Sequence, residues 1–138
     1  MIPVKKKKFF FIFVVGAVAC AAPTPPPGMA GPAEAVQALS DALRKGDAAT
    51  AWSLLSSRTQ AAADARASQL RAVTDAGPES GRQMLFSSAI PGRALTARVV
   101  SQAGDTAEVS AAEDGGSGPV YRVVREGGQW RVDLDLGR

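Results

Sequence analysis

Groups that move protons, attack carbonyls or hold metals are scarce in this chain. Its 138 residues include no His, one Cys (Cys20) and one Tyr (Tyr121). Without His there is no Ser-His-Asp or Cys-His pair to activate a nucleophile, and no Cys/His set for zinc. A single Cys cannot close a disulfide within the chain. Glu113-Asp114-Gly115-Gly116-Ser117-Gly118 gathers acids and glycines. It lacks the ligand spacing of a calcium loop and the Lys of a P-loop, so it reads as a flexible strand connection. No metal and no cofactor are expected. Lys and Arg number 16 against 13 Asp and Glu, a formal +3, but four of those cations are the run Lys5–Lys8. Without that run the balance is −1, and the remaining cations, eleven Arg and Lys45, are interleaved with acids. No basic stripe is left for nucleic acid.

The one thiol sits where it could be chemically used. Lys5–Lys8 is followed by an apolar or small run from Phe9 to Ala22, 14 residues long and stopped by Pro23. A basic start, a short apolar stretch and a small-residue exit are the layout of an export signal. A bilayer core needs roughly 20 apolar residues to be crossed, so a permanent span is not expected. Ala17-Val18-Ala19-Cys20 resembles the lipobox of bacterial lipoproteins, with Ala17 where Leu is usual. The resemblance implies cleavage before Cys20 and a diacylglycerol thioether on its sulfur. Each buried methylene contributes about 0.8 kcal/mol, so several acyl chains hold firmly. It also implies a membrane partner through that lipid and a place in the cell envelope. In a Gram-negative cell this is the outer membrane facing the periplasm, since no Asp follows the cysteine. Cleavage after Ala19 or Ala22, giving a secreted and unlipidated protein, is the alternative.

Three regions follow: a signal peptide over residues 1–19, a lipid-attachment Cys and Pro/Gly-rich tether over 20–32, and one domain over 33–138. Pro23, Pro25, Pro26, Pro27 and Pro32 fall within twelve residues. That density excludes a helix or a sheet interior and favours an extended spacer of about 3.1 Å per residue.

In the domain, Pro32 suits the first turn of a helix, and Val36, Leu39 and Leu43 repeat at helical spacing. Gly46 reads as its C-terminal stop and Asp47 as the N-cap of a second helix carrying Ala48, Ala51, Trp52 and Leu55. Ser57-Arg58-Thr59-Gln60 has capping-box form, with Ser57 as cap of a third helix running to about Ala76. Its apolar face, Ala63, Ala67, Leu70 and Val73, is thin. Met84-Leu85-Phe86 and Ile90 form a stretch too short for a period to be read.

After Gly92 the apolar period becomes two. Leu95, Ala97 and Val99, then Ala107, Val109 and Ala111, form a hairpin through a three-residue loop, Gln102-Ala103-Gly104. That loop sets Val99 opposite Ala107, Ala97 opposite Val109 and Arg98 opposite Glu108. Gly127-Gly128 is a two-residue turn signal. It sets Val123 opposite Val132, Tyr121 opposite Leu134, Arg125 opposite Trp130 and Arg122 opposite Asp133, with Glu126 diagonal to Arg131. Asp133 and Glu108 therefore face outward, opposite arginines.

Helices followed by such strands predict an α+β domain, with N-terminal helices packed on a curved antiparallel sheet of about four strands. Gly46-Asp47-Ala48-Ala49-Thr50-Ala51-Trp52-Ser53-Leu54-Leu55-Ser56 resembles a helix opening of the nuclear-transport-factor-2-like superfamily. Arg125-Glu126-Gly127-Gly128-Gln129-Trp130-Arg131-Val132-Asp133-Leu134 is similar to its last hairpin. The resemblance covers about residues 33–136 and implies a cone-like sheet, sometimes with a pocket inside. Candidate pocket-lining residues are Trp52, Tyr121, Arg125 and Trp130. Trp52 and Tyr121 also have plain roles as core residues, and Arg125 as a cation stacked on Trp130. The expected function is a non-catalytic domain that binds a small apolar or anionic ligand or a protein, or that scaffolds, with a homodimer through the sheet as one form. The alternative is an isomerase- or dehydratase-like enzyme using the cone cavity. Such an enzyme would need a buried carboxylate base and an oxyanion partner.

Overall fold

A computed structural model describes residues 28–88, 92–113 and 116–137. The expected leader, Cys20 and most of the tether lie outside them. The elements run α1 (Pro32–Lys45), α2 (Ala48–Ser53), α3 (Ser57–Val73), α4 (Gly81–Phe86), β1 (Thr96–Ala103), β2 (Thr106–Ala112), β3 (Val120–Glu126) and β4 (Gln129–Asp133). The strands form one antiparallel sheet in sequence order, β1-β2-β3-β4, which is open rather than closed on itself. The architecture is therefore α+β.

Pro32 stands in the first turn of α1, and Gly46 ends the helix in the left-handed region at φ 69°, a conformation that favours Gly. Asp47 caps α2 through its carboxylate, which accepts from the Thr50 amide at 3.0 Å. Hydrogen bonding from the Thr50 side chain and then its amide, with further help from Lys45, holds the carboxyl of Asp47 below its ordinary value. Val36 and Leu39 turn inward from α1 onto the sheet face carrying Ala107, Val109, Val123 and Val132. Leu55 and Val132 are fully buried, each contributing about 1.5–3 kcal/mol relative to exposure.

Two expectations about the helices change. Helix α2 stops at Ser53, and Leu55 instead lies in extended chain bridged to Val132 on β4. The cap of α3 is Ser56, not Ser57: the Ser56 hydroxyl accepts from the Thr59 amide at 3.1 Å. Gln60 does not reach back to close a capping box; its amide donates to the Trp52 carbonyl at 2.8 Å. The Ser57 amide is taken by Glu126, a residue 69 positions away. Helix α3 ends at Val73, with Ala63 and Ala67 buried and Val73 exposed.

The second hairpin has the expected register, Val123 with Val132, Arg125 with Trp130 and Arg122 with Asp133, where its ladder ends. Leu134 lies past that end, so the expected pairing with Tyr121 is not made. The first hairpin differs. Its turn is the two-residue Gly104-Asp105, with Gly104 at φ 59°, joining Ala103 to Thr106. A bulge between Val99 and Ser101 then shifts the register, placing Val99 opposite Val109, Ala97 opposite Ala111 and Arg98 opposite Ser110. Glu108 faces Ser101 on one side and Arg122 on the other, exposed as expected.

The outer edge of β4 is covered twice. Met29 and Trp130 exchange backbone hydrogen bonds at 3.1 and 2.9 Å. Further along, Ser56 donates to Val132, and Val132 donates to Leu54, both at 2.8 Å. The edge of β1 carries no strand partner among the described residues, though the Ala97 amide donates to the side chain of Gln37 on α1 at 3.2 Å.

Candidate functional site

Helix α1 turns one stripe toward the end of the sheet where β3 begins. Val36, Leu39, Ser40, Leu43 and Arg44 fall at helical repeats and line one side of a cavity of about 280 Å³. Ala111 from β2, Tyr121 from β3 and Leu134 beyond β4 form the opposite wall. Gly92, Arg93 and Leu95, leading into β1, complete the lining.

Burial grades through the cavity. Ala111, Val36 and Leu39 are buried and form its floor, while Leu43, Leu95, Tyr121 and Leu134 are half-buried walls. The Arg44 and Arg93 side chains are 44% and 84% exposed, so they stand at the mouth. Arg44 pairs with Asp41 at 3.2 Å and Arg93 with Glu113 at 3.3 Å. The lining is thus mainly hydrocarbon, with one phenol, one hydroxyl and two guanidinium groups. Its polar side chains are hydrogen-bond donors, and none is a carboxylate. Such a lining suits binding by burial, with orientation set at the rim.

Of the four candidate pocket-lining residues, Tyr121 alone lines this cavity. Trp130 is 3% exposed and belongs to the core beneath α1 and Met29. Trp52, half-buried on α2, packs against that core and is not part of the cavity's lining. Arg125 is at the far end of β3, its guanidinium 5.5 Å from the Trp130 ring centroid, with Nε donating to Asp105 at 2.8 Å. Its role is the stacked cation. Ser40, Arg44 and Arg93 were not foreseen, although the first two continue the Val36-Leu39-Leu43 stripe that the sequence displays.

A second polar cluster lies on the other face of the sheet. Asp133 was expected to face solvent there. It does share that face with Arg122, at 3.7 Å, but its side chain is only 3% exposed because the start of α3 covers it. Its Oδ1 accepts from Ser56 Oγ at 2.6 Å and Arg58 Nε at 3.0 Å, and its Oδ2 accepts from Arg58 Nη2 at 2.9 Å. Burial pushes its pKa up, but the hydrogen bonds from Arg58 and Ser56 and the charges of Arg58 and Arg122 outweigh it, and the net direction is down. The same pairing raises the pKa of Arg58. Thr59 Oγ1 accepts from the Leu134 amide at 2.8 Å and donates to its carbonyl at 3.2 Å, continuing the edge of β4 with a side chain.

Arg131 is the unforeseen member. Nη1 donates to Glu126 at 3.3 Å, as the diagonal pairing anticipated, but the side chain is 2% exposed. Among the described residues, Nε and Nη2 have no hydrogen-bond partner. A buried cation held by one long bond gains little to offset its desolvation, and Glu126, which is part-exposed and also accepts from the Ser57 amide, keeps a partner when Arg131 is gone. Arg131→Met should therefore leave the unfolding free energy unchanged or raise it, read by urea denaturation. A loss of more than about 1 kcal/mol would show that Arg131 contributes net stability.

Among the described residues no group of three or more His, Cys, Asp or Glu side chains could hold a metal ion. Both polar clusters tie α3 to the sheet, and the cavity lies apart from them, between α1 and the opposite face. No family model matches the chain, and no curated protein or solved structure matches it either.

Proposed function

We propose that the chain is an exported, lipid-anchored envelope protein whose α+β domain, a cone of the nuclear-transport-factor-2-like kind, holds a small ligand without acting on it chemically. The observation that carries the binding role is the cavity between α1 and the sheet, about 280 Å³, hydrocarbon-lined and open at an arginine-bearing mouth. The residues that bind are Val36, Leu39, Leu43, Leu95 and Tyr121, with Arg44 and Arg93 at the rim.

The anchoring role rests on the basic-apolar-small run ending at Cys20. Residues 21–27 separate the cysteine from the described chain, in which Met29 is paired to β4. No described helix is long and apolar enough to cross a membrane. Attachment in this reading is through acyl chains, to the outer membrane on its periplasmic side in a Gram-negative cell.

Replacement of Cys20 by Ala tests the anchor. The parent protein should sediment with membranes and carry radiolabel from palmitate, and the Cys20→Ala chain should lose the label and move to the soluble fraction. A soluble, unlabelled parent protein would overturn the lipid anchor and favour the secreted form.

A further inference from the structure

We propose that the ligand of the α1–sheet cavity is an aliphatic anion: an unbranched hydrocarbon chain of about ten heavy atoms ended by a carboxylate. This rests on the reading of the cavity as a binding site and names the class of molecule it takes.

Three features select this class. The first is size: at roughly 30 Å³ per heavy atom, the share of a liquid water, a cavity of about 280 Å³ holds nine or ten. The second is the gradient of burial. The floor of Val36, Leu39 and Ala111 is buried hydrocarbon, offering nothing to a polar group. A polar end placed there would lose its water without a partner. The polar end must therefore stay at the mouth. The third feature is the charge at that mouth. Arg44 and Arg93 are its two cations, and each is engaged through Nη1 alone, with Asp41 and Glu113 respectively. Among the described residues, the Nε and Nη2 donors of both are unused. Exposed ion pairs of this kind are weak, so they compete little with an arriving carboxylate. A guanidinium fork binds a carboxylate through two parallel hydrogen bonds, a geometry that an alcohol or an ammonium cannot match. A cationic headgroup would find no carboxylate among the lining residues. Tyr121 and Ser40 supply hydroxyl groups along the wall.

The test uses the full chain carrying Cys20→Ala, which has no acyl group of its own to enter the cavity, purified without detergent. Decanoate, decanol and decyltrimethylammonium are titrated into it by calorimetry. Decanoate should bind about tenfold or more tightly than the other two, the difference expected of charge-assisted hydrogen bonds. The double variant Arg44→Gln/Arg93→Gln should reduce decanoate to the level of decanol. Ser40→Trp, which fills the cavity from a half-buried position, should abolish binding of all three. A thermal melt of each variant checks that the fold is kept. Decanol binding as tightly as decanoate, with no effect of the arginine changes, would overturn the anionic class and leave the cavity a binding site. Decanoate binding that survives Ser40→Trp in a folded variant would put the ligand elsewhere. If none of the three compounds binds, both the cavity reading and the ligand class fall.

Discussion

Asp133→Ala should lower the unfolding free energy at neutral pH by about 2–3 kcal/mol, the loss expected when a buried carboxylate that accepts charge-assisted hydrogen bonds is removed. The carboxylate joins two parts of the chain that are far apart in sequence. It takes hydrogen bonds from Ser56 and Arg58 at the start of α3, and it faces Arg122 on β3. Its removal leaves the Ser56 hydroxyl buried without its shortest partner and takes from α3 one of its ties to the end of β4, the Thr59–Leu134 hydrogen bonds remaining. Arg58→Ala should cost less, about 1 kcal/mol, because Arg58 is 60% exposed and solvent takes over its role. The pH dependence has a definite sign. The folded-state pKa of Asp133 lies below its ordinary value, so the folded protein binds this proton less readily than the unfolded chain. The contribution is whole above the unfolded carboxyl pKa of roughly 4 and is lost as pH falls through the lower folded value. Urea denaturation of parent and variant at pH 7 and at pH 3 measures it. The gap between them should narrow at the lower pH, and an equal gap at both would refute the assignment.

Gly81→Val should be at least as damaging, by about 3 kcal/mol or more, because the position has no room for any side chain. A Cβ built on Gly81 would lie 2.5 Å from the amide nitrogen of Asp64 and 2.6 Å from the carbonyl carbon of Ala63. Both are backbone atoms of α3, which cannot turn aside as a flexible side chain can. The Gly81 amide also donates to Asp64 Oδ1 at 2.7 Å, fixing the first residue of α4 against α3. Ala63 and Ala67, both fully buried, provide the flat stripe on which this approach depends. Overpacking of a close contact typically costs 1–3 kcal/mol, and displacement of a whole element adds to it. Thermal unfolding should show a midpoint lowered by more than about 10 °C. Amide exchange should show lost protection over Gly81–Phe86 before the sheet is affected. A midpoint within 2 °C of the parent would mean that α4 docks by some other contact.

The parts of this fold legible from sequence are those decided by neighbours. Gly127-Gly128 admits one short turn, and the alternation on either side leaves one register, so Arg122 and Asp133 could be paired in advance. Asp47 and Gly46 act within one helical turn of themselves, and their roles were equally plain. The first hairpin was misread at its turn, which is Gly104-Asp105 rather than Gln102-Ala103-Gly104, and its bulge at Val100 is invisible to alternation. The apolar periods before and after it are each correct, and only their offset is wrong. Ser57 was read as the cap because Gln60 stands three residues on, yet Glu126 takes its amide, and no local pattern announces a partner so distant. Asp133 and Arg131 show the same gap. Alternation puts them on the outer face, as found, but burial there comes from α3, a contact of tertiary origin. The cavity was half legible. Its α1 stripe is periodic, whereas Gly92, Arg93, Leu95 and Leu134 come from irregular chain whose position the sheet decides.

The pairing of Met29 and Leu55 along β4 has a consequence for self-association. A sheet that adds further copies edge to edge needs two free edges, one to receive and one to offer. Here one edge is already occupied by the chain itself, through Trp130 and Val132. Among the described residues only the edge of β1 is left, interrupted by its bulge and by Gln37 at Ala97. Two molecules meeting through β1 would exhaust each other's valence, so growth by backbone pairing halts at a two-fold pair and no filament can propagate. The backbone at Met29 thus serves as a terminator of the sheet.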